Sequence, residues 1–107
     1  MNGLIKSNIG IASTATVTTA GVKIVTNDPR NRYIRISNLG ANAVYITPQT
    51  VHGAETCPAV AKTGIVLHPA GNYGSVVEFT NDSMFFCDFW AVTESDTSDV
   101  AVLVGRG

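Results

Sequence analysis

The sequence predicts an all-β fold: a single-domain antiparallel β-sandwich, jelly-roll-like, of about seven to eight short strands behind an N-terminal arm. Three observations predict it. Val, Ile and Thr number 13, 8 and 12 among 107 residues, and β-branched side chains suit a pleated surface. Leu numbers only 4, and no stretch keeps a helical period beyond two turns. Turn-forming residues punctuate the chain about every 8–12 positions, the spacing of short strands. The length fits one domain able to bury roughly two-thirds of its extended surface. The expected organisation is an arm over residues 1–14 and a sandwich over 15–107, with a long loop at 48–63.

The elements follow in order. Residues 1–14 carry Asn, Ser and Gly among scattered Ile and alternate weakly. They read as an arm that either frays or docks on a neighbour. Residues 15–26 are rich in Thr, Val and Ile with Gly21 at the centre, giving either one bulged strand or two short ones. Residues 27–31 contain Pro29, which cannot donate to a ladder, and form a turn. Residues 32–38 alternate, with Ile34 and Ile36 on one face and Tyr33, Arg35 and Ser37 on the other. Residues 43–47 return with Val44 and Ile46 inward and Tyr45 outward. Joined by the Asn-rich link 38–42, these two runs read as the best-defined hairpin of the chain.

Residues 48–63 hold Pro48, Gly53, Cys57 and Pro58 without a sustained period. Loops of this length in compact domains tend to be functional or mobile. Residues 64–67, 73–80, 84–93 and 100–104 read as further strands, separated by turns at 68–72, 81–83 and 94–99.

Charge narrows the function classes. The formal net charge is −1 and charged residues make up 14%, which excludes a strongly basic nucleic-acid binder. Residues 1–53 carry +4 and residues 54–107 carry −5. In a sandwich the halves interleave, so these charges either pair weakly on the surface or form patches that dock one copy against the next. Arg32 and Arg35 fall on opposite faces of one strand, without a basic patch interleaved with aromatics, so no nucleic-acid partner is expected. No run of 18 apolar residues exists, so no membrane span is expected. Lys6, Ser7 and Asn8 break the continuity a signal peptide needs. Cys57 and Cys87 read as free thiols of a reducing compartment, although 30 residues of separation would also permit one bridge. Asn81-Asp82-Ser83 matches the glycosylation pattern by chance.

No catalytic constellation stands out, and the chain reads as a non-enzyme without cofactor or metal. His52 and His68 sit in loops without a ligand companion at short spacing. No nucleophile elbow and no phosphate-binding glycine loop is present. Glu94, Asp96 and Asp99 cluster in a turn but lack the Gly and terminal Glu of a helical calcium loop. Glu78 and Asp88 fall on strands that read as neighbours, a pairing that glycoside chemistry uses and that solvated faces also produce.

The most apolar run, 84–93, places Phe85, Cys87, Phe89 and Ala91 on one face and Phe86, Asp88, Trp90 and Val92 on the other. One face belongs to the core. The other is either covered by the chain itself or offers Phe86 and Trp90 to another subunit.

The order of residues 31–38, 42–46, 63–71, 89–92 and 100–104 resembles small all-β virion accessory proteins of tailed bacteriophages. These are capsid decoration or cement proteins, or small modules of fibres and tails. The resemblance implies a structural virion protein, made in the host cytoplasm and located in the virion. It implies a homo-oligomer, expected as a trimer, and a major capsid protein or other virion protein as partner. The candidate contact residues are Phe86, Trp90 and Tyr45, with Ile5, Ile9 and Ile11 of the arm. The alternative is a carbohydrate- or receptor-binding β-sandwich of a tail or fibre, with Tyr33, Tyr45, Tyr73 or Trp90 stacking on sugar rings.

Overall fold

The computed structural model describes residues 9–49, 57–80 and 87–107. Eight strands follow one another: β1 (Ile9–Val17), β2 (Val22–Val25), β3 (Asn31–Asn38), β4 (Val44–Gln49), β5 (Ile65–Leu67), β6 (Val76–Phe79), β7 (Asp88–Thr93) and β8 (Ser98–Arg106). They form two four-stranded sheets, ordered β1-β8-β3-β6 and β2-β7-β4-β5. Every strand pair is antiparallel. No helix occurs among the described residues. The molecule measures 47 × 32 × 20 Å, and the shortest dimension is what two sheets about 10 Å apart fill with their outer side chains.

The core lies between the sheets and follows the period-2 pattern. Ile34 and Ile36 of β3 and Val100 and Val102 of β8 meet Val44 and Ile46 of β4 and Phe89 and Ala91 of β7. Phe79 of β6 and Phe89 of β7 pack edge to face, with centroids 5.2 Å apart and planes at 67°. Such a pair contributes about 1 kcal/mol beyond its buried area, and here it couples one sheet to the other.

The expected hairpin of residues 32–47 is corrected. β3 and β4 do not pair; they belong to different sheets. Asn38, 3% exposed, organises the crossing at 39–43. Its Nδ2 donates to the carbonyls of Asn42 at 2.8 Å, His68 at 3.1 Å and Leu67 at 3.3 Å. Its Oδ1 accepts from Ser98 Oγ at 2.6 Å and from the Gly40 amide at 3.1 Å. Gly40 passes so close to Ser98 that a Cβ there would collide with its side chain. The link thereby turns across the end of the sandwich instead of folding back on β3.

The N-terminal boundary also differs. Residues 9–14 run in β1, in unbroken register with β8 from Ile9↔Arg106 to Val17↔Ser98, and residues 1–8 lie outside the described residues. Residues 15–26 comprise the end of β1 and all of β2, divided by a turn in which Gly21 has φ +86°. The weak alternation of residues 9–14 has a structural cause. Ile11 pairs with Val104 on the core side of its sheet, yet it is 38% exposed. Ile11 lies on the edge strand, whereas its register neighbours Val104 and Ile34 on the inner strands are buried.

Residues 48 and 49 of the expected loop belong to β4, and residues 50–56 lie outside the described residues. Pro48 is tolerated because β5 pairs only with Val44 to Ile46, leaving that side of β4 without a ladder at Pro48.

Candidate functional site

The outer face of the second sheet is built around β7. All six residues of β7 are buried. Phe89 and Ala91 enter the core, while Asp88, Trp90 and Val92 of the opposite face are 8%, 8% and 5% exposed. Over residues 88–93 this face is therefore buried, and Phe86 lies outside the described residues.

Lys23 of β2 lies opposite Trp90 in register. Its ammonium stands 5.5 Å from the indole ring centroid and 3.3 Å from Asp88 Oδ2. A cation over an aromatic face contributes on the order of 1 kcal/mol. Asp88 Oδ1 also accepts the Asn27 amide at 2.6 Å. Trp90 Nε1 and Asn27 Oδ1 are buried without a hydrogen-bond partner.

A second polar cluster closes one end of the sandwich. Asp28 accepts from the Arg30 amide at 2.8 Å and from Arg30 Nε and Nη2 at 3.2 Å, and Arg106 Nε stands 3.6 Å away. The Arg30 side-chain hydrogen bonds, with the Arg30 amide next, pull the Asp28 carboxyl down from 3.8 to about 2. Arg106 Nε donates to Asn31 Oδ1 at 2.9 Å. β3 and the end of β8 are thereby tied to the 27–30 turn.

The outer face of the first sheet carries an open trough of about 350 Å³. Small residues, Ala12, Ser13, Thr14, Ser37 and Ala101, form its floor, and Arg35 and Leu103 rise beside them. Arg35 is exposed and makes no ion pair among the described residues. Its cross-strand neighbour Glu78 accepts the Tyr33 hydroxyl at 2.9 Å. Burial, then that bond, pushes the Tyr33 phenol up.

Of the six contact candidates the structure describes four, Trp90 and Tyr45 on the second sheet and Ile9 and Ile11 on the first. Trp90 is buried beneath Lys23. Tyr45 is half-buried and lies opposite Val92 on the same sheet. Ile11 is exposed on β1, and Ile9 begins that strand. Ile5 and Phe86 lie outside the described residues.

Glu78 and Asp88 are not neighbours, because β6 and β7 belong to different sheets. The acidic turn is engaged locally: Glu94 pairs with Lys62 at 3.3 Å, and Asp99 accepts Thr16 Oγ1 at 2.7 Å. Among the described residues no three His, Cys, Asp or Glu side chains gather where they could hold a metal ion. His52 lies outside the described residues, and His68 is exposed. Cys57 and Cys87 are free thiols, and burial pushes the Cys87 thiol up, away from the nucleophilic thiolate. No helix among the described residues is long and apolar enough to cross a membrane.

Sequence reasoning missed Lys23, Asp28 and Asn38 as organising residues. Each has a partner that only folding brings near: Asp88 for Lys23, Arg106 for Asp28, and Ser98, 60 residues away, for Asn38. The one local signal is Asp28-Pro29-Arg30, a turn in which the acid can reach an amide two residues on. Comparisons with protein-family models, with curated proteins and with solved structures found no match to this chain.

Proposed function

We propose that this chain is a structural, non-enzymatic virion protein of a tailed bacteriophage: a capsid decoration or cement protein that stabilises the shell by docking between subunits. Its partner is the major capsid protein or another virion protein. It is made in the host cytoplasm and works in the assembled particle. One observation carries the reading. The two four-stranded antiparallel sheets, ordered β1-β8-β3-β6 and β2-β7-β4-β5, support reading the chain as a jelly roll, the eight-stranded double Greek key reused in viral capsid, lectin and cupin domains. The strand-by-strand resemblance of residues 31–104 supports the same assignment. The mechanism is burial of apolar area between subunits, at roughly 25 cal/mol per Å², repeated at every equivalent site of a shell. The test is binding to emptied heads of the virus that encodes the chain. Saturable co-sedimentation and a higher shell melting temperature are expected; no co-sedimentation overturns the proposal.

A carbohydrate- or receptor-binding module is the second reading. Tyr73, fully exposed between β5 and β6, favours it, because an unburied ring is free to stack on a sugar face. A glycan screen comparing wild type with Tyr73→Ala decides it: binding that the substitution abolishes supports this reading, and an empty screen removes it.

A further inference from the structure

The two sheets leave four edge strands: β1 and β6 in the first, β2 and β5 in the second. An edge presents unpaired amides and carbonyls, and proteins blunt it with shortness, charge, proline or a bulge. Three of these edges are blunted. β2 has four residues, carries Lys23 and is irregular between Lys23 and Val25. β6 has four residues and carries Glu78. β5 has three residues. β1 differs on every count. It is nine residues long, reads IGIASTATV without a charge or a proline, and keeps register with β8 throughout.

We propose that the free edge of β1 pairs antiparallel with β1 of a second copy, about a two-fold axis at Ser13, to make one continuous eight-stranded sheet. The strand is complementary to itself in this register. Ala12 meets Thr14 and Ile11 meets Ala15, and no charge faces a charge, so cross-strand pairing carries no repulsion. Ile11 supplies apolar area: it sits on the core side of the edge strand at 38% exposure, whereas Ala15 packs against the core. Antiparallel pairing sets the part-exposed Ile11 of each copy beside Ala15 of the other. The interface is isologous and closes on itself, giving a dimer in place of the trimer that the phage resemblance implies. The pairing involves β1 alone, so it stands or falls separately from binding to a shell.

Ala12 and Thr14 are exposed and line the trough on the opposite face to Ile11, so charged replacements there leave the core untouched. The experiment is the solution mass of the full chain by light scattering at high micromolar concentration. Wild type is expected at twice the chain mass. Ala12→Lys with Thr14→Lys is expected at the monomer mass with its circular dichroism unchanged, and so is Ala12→Glu with Thr14→Glu. An equimolar mixture of the two double variants is expected to regain the dimer mass, because lysines then face glutamates across the axis. A monomeric wild type overturns the proposal, and that is also the outcome if residues 1–8 or a different protein occupy the edge. A wild-type oligomer that both double variants leave intact overturns it equally.

Discussion

Asn38 shows how much one side chain can decide. It is buried and serves five groups from the 39–43 link, the end of β5 with His68 after it, and the start of β8, so its loss strands carbonyls and the Ser98 hydroxyl away from water. Asn38→Ala is expected to cost about 2–4 kcal/mol, read as a lower denaturant midpoint at unchanged slope. Asp28 gives the molecule an acid-sensitive corner. Its carboxyl is held at about 2, below the ordinary 3.8, so folding favours the ionised form. The resulting stabilisation is complete above about pH 4 and is lost as pH falls through about 2. Asp28→Asn should lower the melting temperature at neutral pH and flatten its fall over that acid window; identical acid limbs would remove Asp28 from the account. Trp90 is the single tryptophan, which makes its burial directly readable. Its emission should be blue-shifted and poorly quenched by acrylamide, and Lys23→Ala should raise the quenching by uncovering the ring. Solvent-like emission from the wild type would contradict the covered face of β7.

At the scale of the element, the strands were legible and their pairing was not. Ile34, Ile36, Val44 and Ile46 are all fully buried, as the alternation of residues 32–38 and 43–47 predicts. Alternation states which face is inward, but it carries no information about the neighbouring strand. The run at 39–43 therefore read as a hairpin turn, although Asn38 and Gly40 route it to the other sheet. β1 escaped for the opposite reason: its first half is exposed on both faces and loses the contrast that alternation needs. The difference between central and edge positions is measurable. Ile36→Ala, at a fully buried site on β3, is expected to cost about 3–4 kcal/mol. Val76→Ala, 38% exposed on the edge strand β6, is expected to cost less than about 1 kcal/mol. Equal losses in chemical denaturation would show that the layer between the sheets is not the dominant core.

The whole molecule is held together by one cluster drawn from both sheets, from Val17 of β1 to Val104 of β8. The buried cluster is built from the facing sides of both sheets, so neither is expected to survive without the other. Unfolding should therefore be a single transition that coincides in near-ultraviolet and far-ultraviolet circular dichroism. Ile36→Ala should shift both signals together. Two separated transitions would mean that the sheets are independent units. The sheet order and the open edge of β1 are likewise properties of the assembled fold.

The sequence alone determined the all-β class, the position of most turns and the inward residues of the central strands. Composition and a period of two are local, and they survive without knowledge of the partner strand. Only the tertiary structure decided which strands pair, that β3 and β4 separate into different sheets, that Trp90 is covered, and that β1 is a strand with a free edge. Those outcomes rest on contacts such as Asn38 with Ser98 and Lys23 with Asp88, 60 or more residues apart. Contacts at that separation form only when the two sheets close on each other, and no local pattern records them.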